Sequence, residues 1–298
     1  MSTIEQQART TALPEGATDC HSHVVGPVDR WPMIADRRYE PEQGPVADYI
    51  ATLAGLGLDR CVLVQPSIYG TDNGCQIEAM QEIGRDRCRG VAVVSPDVAN
   101  AELQRLHDAG MRGVRFNLRS GGLGIDDLET VCRKIAPFGW HAQIFTAAPV
   151  IAEREMLLRR LPVPVVVDHM GGPDPAEGLG QPGFRALLRL LADRVAWVKL
   201  SGAERLSGQE TGYDDVVPFA RALIAAAPER AVWGIDWPPS RFYKVQPEPG
   251  DWIKQLLKYV EQPAGLVPVL RDNPAALYGF PARSPGKPGE HEKPARAS

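Results

Sequence analysis

No two cysteines of this chain are spaced as C-x-x-C, and their number, five, is odd. A disulfide framework is not expected in a chain of this size, and Cys20, Cys61, Cys75, Cys88 and Cys132 read as small buried hydrophobes. No basic run tracks a phosphate backbone and the formal net charge is −4, so nucleic acid is not an expected partner. No apolar stretch is long enough to cross a bilayer. Residues 1–11 are polar and lack the apolar segment of a signal peptide, so the expected location is cytoplasmic, with no membrane partner. No G-x-G-x-x-G follows the first candidate strand, which removes the main dinucleotide signal. The glycine-rich run Gly121-Gly122-Leu123-Gly124 opens no strand-anchored helix and reads as a loop.

The chain does carry a large core: 44% of its 298 residues are hydrophobic and 23% charged, which suits one soluble globular domain. Apolar or β-branched runs at 17–24, 60–65, 90–95, 113–118, 140–145, 163–168, 195–200 and 231–236 predict eight strands. Helix-like stretches separate them at 46–56, 76–84, 101–110, 125–138, 150–161, 184–193 and 213–227. Several strands are apolar throughout rather than alternating, such as Cys61-Val62-Leu63-Val64, which implies burial on both faces and a parallel sheet. Eight strands alternating with helices predict a (β/α)8 TIM barrel, with a doubly wound open sheet as the alternative. The expected organisation is an N-terminal extension over 1–16, one barrel domain over 17–283, and a Pro-, Gly- and charge-rich disordered tail over 284–298.

Barrel enzymes carry their chemistry at the C-terminal ends of the strands. The first strand there offers His21-Ser22-His23, whose imidazoles would share one face. Two convergent imidazoles can hold a metal or polarise a carbonyl. The second strand ends in Gln65-Pro66-Ser67. The fourth carries Arg115 and Asn117, and the sixth ends in Asp168-His169. The seventh runs through Lys199 to Ser201, and the eighth ends in Asp236. Three of the six histidines and one aspartate thus fall on one rim. Lys199, lying along its strand, reads as a solvated or paired side chain with no assigned role.

The spacing resembles the amidohydrolase superfamily, in which H-x-H closes the first strand and an aspartate the eighth. Arg115 stands where the usual metal sets place a lysine or glutamate, and the fifth strand ends in Ile144-Phe145 rather than histidine. A binuclear centre therefore lacks its bridging ligand, and His21, His23, His169 and Asp236 remain as a set for one divalent ion such as zinc, or for none. More specifically, the chain resembles the 2-pyrone-4,6-dicarboxylate lactonase group. The matching runs are Asp19-Cys20-His21-Ser22-His23-Val24-Val25-Gly26-Pro27, Val64-Gln65-Pro66-Ser67, Gly113-Val114-Arg115-Phe116-Asn117, Asp168-His169-Met170-Gly171 and Trp233-Gly234-Ile235-Asp236-Trp237-Pro238. The resemblance implies hydrolysis of a cyclic ester without a bound metal. It makes Asp236 the residue that activates water and His21, His23 and His169 the groups that polarise the lactone carbonyl. It makes Tyr39, Gln65, Ser67, Arg115 and Arg205 the substrate contacts.

Departures from the group bear on the substrate. Gly172 replaces an arginine, Phe145 a tyrosine and Pro239 a histidine, while Arg119 partly restores the positive charge. Glycine cannot make the bidentate carboxylate clamp of arginine, so a lactone with one carboxylate, or a neutral sugar lactone, fits better than a dianionic pyrone. A carboxyl pKa raised above the ordinary would make Asp236 a better base. The alternatives to a hydrolase are a lactone isomerase, a metal-dependent decarboxylase of the same superfamily and a non-catalytic binding barrel. Oligomeric state is left open.

Overall fold

The computed structural model describes residues 11–119, 123–239 and 245–281. The tail expected over 284–298, residues 1–10 of the expected N-terminal extension, and Gly121 and Gly122 of the glycine-rich run lie outside the described residues. Eight strands form one sheet in sequence order: β1 (Thr18–Ser22), β2 (Arg60–Val64), β3 (Cys88–Ala92), β4 (Met111–Asn117), β5 (His141–Phe145), β6 (Val165–Val167), β7 (Ala196–Leu200) and β8 (Ala231–Trp233). Every neighbouring pair from β1–β2 to β7–β8 is parallel. Helices occupy the crossovers: α1 (Val46–Leu56), α2 (Gly74–Ile83), α3 (Asn100–Ala109), α4 (Leu128–Ile135), α5 (Ala148–Leu158), α6 (Pro182–Ala192), the short α7 (Ala203–Leu206) and α8 (Val217–Ala226). Then α9 (Pro249–Val260) and α10 (Asn273–Tyr278) follow β8. This is the expected (β/α)8 barrel; α9 and α10 were not among the expected helices.

Burial on both faces explains the apolar strands. In β6, Val165 and Val167 pack outward against the helix layer, while Val166 joins Cys20, Val62, Val64, Val91, Trp197 and Val232 in the barrel interior. The helices answer with one apolar stripe each; α4 buries Leu128, Val131, Cys132 and Ile135 at helical spacing. At the N-terminal end of the barrel, Tyr278 and Phe280 plug the interior. Arg60 and Arg89 stack over Phe280 at 5.1 and 4.8 Å. β3 starts earlier than expected, where its Cys88 and Arg89 pair with Cys61 and Val62.

The barrel is drawn together beside the functional rim. Beyond β8 the chain runs alongside β1: Asp236 N donates to His21 O (2.8 Å) and His23 N to Trp237 O (2.7 Å). A side chain on Gly234 would collide with the backbone and Cβ of His21, at 2.6–3.0 Å. Glycine there is what lets the two segments approach. Buried Asp19 ties the seam, accepting hydrogen bonds from Ile235 N (3.0 Å), His21 N (3.0 Å), Ser22 Oγ (2.5 Å) and Tyr49 Oη of α1 (2.6 Å). The β1–β2 register shifts between Asp19 and Ser22, so strict alternation fails where the histidines leave the strand.

Candidate active site

His23 lies just past β1, His169 just past β6 and Asp236 three residues past β8. His169 (φ 49°) and Asp236 (φ 55°) both hold left-handed backbone conformations. This region is costly for most residues but comparatively open to Asp and His. The turn ends each strand and aims its side chain into a cavity of about 300 Å³ at the barrel mouth. His23, Tyr39, Glu40, Glu42, Arg115, Asn117, Arg119, Phe145, His169, Arg205 and Asp236 contribute to its wall.

Asp236 is 1% exposed. Its Oδ2 accepts from Arg205 Nε at 2.6 Å, whereas Oδ1 has no hydrogen-bond partner. Two imidazole nitrogens, His21 Nε2 and His23 Nε2, each lie 3.6 Å from that oxygen. Burial works to raise the Asp236 carboxyl pKa, but Arg205 and the three imidazoles outweigh it and hold it well below the usual carboxylate range. The raised value that would make Asp236 a better base is not what its surroundings favour: a charge-assisted hydrogen bond stabilises the ionised form.

The three imidazoles are not equivalent. His23 Nδ1 lies 2.7 Å from Val64 O; a carbonyl only accepts, so Nδ1 carries the proton and neutral His23 shows a bare Nε2. Burial, then Arg115, lowers its pKa to about 3. His169 Nδ1 lies 2.9 Å from Ser201 Oγ, and burial lowers its pKa to about 4. His21 is fully buried and does not line the cavity; it sits beneath Asp236, with its ring centroid 4.7 Å from that of His169. Under the expected cluster of three carbonyl-polarising histidines, then, only His169 both lines the cavity and is free to present an N–H to it.

Beneath His21 lies a buried ionic layer. Lys199 Nζ donates to Gln143 Oε1 (2.7 Å) and lies 3.3 Å from His21 Nδ1 and 3.6 Å from Asp168 Oδ1. Gln143 Nε2 donates to Asp168 Oδ2 at 3.0 Å. Lys199 is fully buried, so it is paired rather than solvated. Its place on an apolar strand, with an inward parity matching Ser201, was the signal available in the sequence.

The expected substrate contacts divide. Tyr39, Arg115 and Arg205 line the cavity; Gln65 and Ser67 do not. Gln65 is fully buried and its Nε2 donates to Asp72 O at 2.6 Å, holding the loop after β2. Ser67 begins a 3-10 turn over Ser67–Tyr69. Arg119, expected to make up part of the missing positive charge, lines the wall as well, and Asn117, Glu40 and Glu42 are wall residues that were given no contact role. The guanidinium carbons of Arg115 and Arg119 lie 5.8 and 5.5 Å from the Phe145 ring centre, so one aromatic ring gathers both cations. Gly172 has φ 66°, and a Cβ there would stand 2.8 Å from Thr146 O; its backbone does not admit an arginine without strain.

The amidohydrolase family model matches residues 18–280. This chain is an amidohydrolase. The amidohydrolase is 38% identical over 281 residues to the 2-pyrone-4,6-dicarboxylate hydrolase of Comamonas testosteroni, covering 89% of this chain and 91% of the relative. It is 34% identical to the 4-sulfomuconolactone hydrolase of Hydrogenophaga intermedia (91% of each chain). It is 26% identical to the D-galactarolactone isomerase of Agrobacterium fabrum (91% and 94%). Among solved structures, a Pseudomonas putida protein described as a 2-pyrone-4,6-dicarboxylic acid hydrolase matches with TM-score 0.78 and 34% identity, over 91% of this chain and all of that one. No described helix of the amidohydrolase is long and apolar enough to cross a membrane.

Two overlapping groups have the spacing of metal ligands: His21, His23 and Asp236, and His21, Asp168 and His169. Tetrahedral zinc with bonds of about 2.1 Å separates its ligands by roughly 3.4 Å, close to the two 3.6 Å separations here. The charges disagree. Asp168 and Asp236 already face Lys199, Arg205 and Arg115 at 3.9 Å or less. Arg205 also lies 3.4 Å from the buried Glu204 carboxylate, so three carboxylates meet three cations, and a divalent ion would add uncompensated charge to a buried site. The set matches an ion in spacing but does not fit one electrostatically.

Proposed function

We propose that this amidohydrolase hydrolyses a lactone, with Asp236 Oδ1 accepting a proton from the attacking water. The observation that carries the reading is the ionised, unpartnered Oδ1 on the floor of a cavity sized for a small ring, flanked by His23 Nε2 as a second acceptor. Water oxygen adds to the ester carbonyl as its proton passes to Asp236. The ring C–O bond then breaks, and the departing alkoxide takes a proton back, leaving a hydroxy acid. Negative charge developing on the carbonyl oxygen meets donors already in place: the His169 imidazole and the guanidinium wall. Arg205 orients the base through Oδ2 and keeps it ionised, at some loss of basicity. His21 acts on Asp236 from below and touches no substrate. No metal is required in this scheme.

Arg115 and Arg119, gathered on Phe145, supply one anion site, while Glu40 and Glu42 stand on the same cavity wall system. That composition favours a lactone carrying a single carboxylate over a dianionic one. Tyr39 contributes a hydroxyl at the mouth. The isomerase among the relatives supports a second reading, in which a substrate hydroxyl rather than water attacks. A panel of lactones followed by NMR separates the two: a hydrolase yields a free hydroxy acid, an isomerase only a rearranged lactone. Stoichiometric release of carbon dioxide would contradict both. Absence of turnover across mono- and dianionic and sugar lactones would contradict the assignment as a lactonase.

A further inference from the structure

Among the described residues, Lys199 is a buried cation that lies against His21 of the H-x-H pair and lines no part of the cavity. His21 Nδ1 has two polar neighbours at the same 3.3 Å, Lys199 Nζ and Asp168 Oδ1. They ask for opposite tautomers. An ammonium has donors and no acceptor, so bonding to Lys199 requires a bare Nδ1 and puts the proton on Nε2; bonding to Asp168 requires the reverse. The geometry decides between them. With the proton on Nε2, Nδ1 accepts from Lys199 and the N–H faces the Asp236 carboxylate at 3.6 Å; with the proton on Nδ1, Lys199 loses that acceptor and a bare Nε2 lone pair faces Asp236 Oδ1. Asp168 is bound through Oδ2 to Gln143, the same amide whose Oε1 fixes Lys199 Nζ.

We propose that Lys199 is a positioning residue that locks His21 as the Nε2–H tautomer. The proton then points at Asp236 Oδ1, supporting the base from beneath, and the Nε2 lone pair that an ion held by His21, His23 and Asp236 would need is absent. His23, with Nδ1–H on a backbone carbonyl, has the arrangement usual for a metal-ligating imidazole; His21 does not. The H-x-H pair is in this way divided into one acceptor and one donor by a residue on β7, separated from β1 by β8. The proposal rests on the metal-free reading above, and its tests read the tautomer and the metal content rather than turnover.

Two measurements on the full chain decide it. In histidine-15N-labelled protein, long-range proton–nitrogen correlation, with His21 assigned by its loss in His21→Asn, is expected to show Nε2 protonated and Nδ1 bare. A protonated Nδ1 overturns the proposal. Second, Lys199→Met and the wild type are dialysed against zinc and then against metal-free buffer, and bound metal is counted. The wild type is expected to retain none, and the variant one ion per chain, with the His21 signals reversed to the Nδ1–H tautomer as Asp168 takes over. Stoichiometric zinc in the wild type, or none in a folded Lys199→Met, overturns it. Should Lys199→Met fail to fold by circular dichroism, the wild-type spectrum and metal count decide alone. A chain that opens no lactone yet shows the Nε2–H tautomer contradicts the proposed function and leaves this role of Lys199 standing.

Discussion

Replacing Arg205 by glutamine removes the cation that holds Asp236 ionised, and the structure sets the size of the effect. The Nε–Oδ2 contact is 2.6 Å, on a carboxylate 1% exposed and a guanidinium side chain 20% exposed. A charge-assisted hydrogen bond of this kind is worth about 1.5–3 kcal/mol. At about 1.4 kcal/mol per pKa unit, the Asp236 carboxyl should rise by about 1–2 units. Burial pushes that carboxyl upward, while the three imidazoles remain to hold it down. His169 and His23 also lose a cation that lowers them, which moves their titrations the same way. The assay is kcat/KM against pH, whose acid limb reports groups of the free enzyme. The limb should move to higher pH in Arg205→Gln, even if the plateau falls as the base loses its orientation. A limb that stays in place, or moves to lower pH, would refute the claim that Arg205 governs the protonation of the base.

Other consequences are open to simpler measurements. His23, His141 and His169 are held at about 3, 3 and 4 against 6.5 in the open chain, so the unfolded state binds protons first as pH falls. The stability they contribute is complete above pH 6.5 and is lost from there down towards pH 4, at about 1.4 kcal/mol per pH unit for each imidazole. Urea midpoints should fall between pH 7 and 5; equal midpoints would contradict the burial argument. Tyr49→Phe removes one of the four donors to Asp19 at the seam and should cost about 1.5–3 kcal/mol in urea unfolding, against less than about 0.5 kcal/mol if the seam is held by backbone contacts alone. Arg115→Met should raise KM for a carboxylated lactone about 10- to 100-fold, the loss of about 1.4–2.8 kcal/mol of anion binding, with kcat changed far less; an unchanged KM would place the anion elsewhere.

The barrel was legible because burial on both faces leaves a mark that sequence carries openly: all eight strands fall within the predicted runs or overlap them. Element ends were less so. The predicted strand 231–236 stops at Trp233, because Asp236 turns into a left-handed conformation to face the cavity. That turn depends on its pairing with β1, a contact more than 200 residues away in sequence. The expected third strand, 90–95, lies at Cys88–Ala92, where Cys88 and Arg89 pair with Cys61 and Val62 of β2, a register that no local pattern announces. The rim residues His23, His169 and Asp236 were identifiable from strand ends. The division of labour among the imidazoles was not, since it depends on Val64 O, Ser201 Oγ and Lys199 Nζ, each supplied by another strand or loop. The resemblance to the lactonase group implied Gln65 and Ser67 as contacts; only the packed loop after β2 shows that Gln65 spends its amide on the backbone.

The most direct test of the account is acid release from a turned-over lactone by Asp236→Asn. The amide keeps the size of the carboxyl and its place beside Arg205, but cannot take a proton from water. Turnover should fall by about 10²–10⁴ while KM changes little. A variant that keeps more than about one-tenth of wild-type kcat would contradict the assignment of Asp236 as the base.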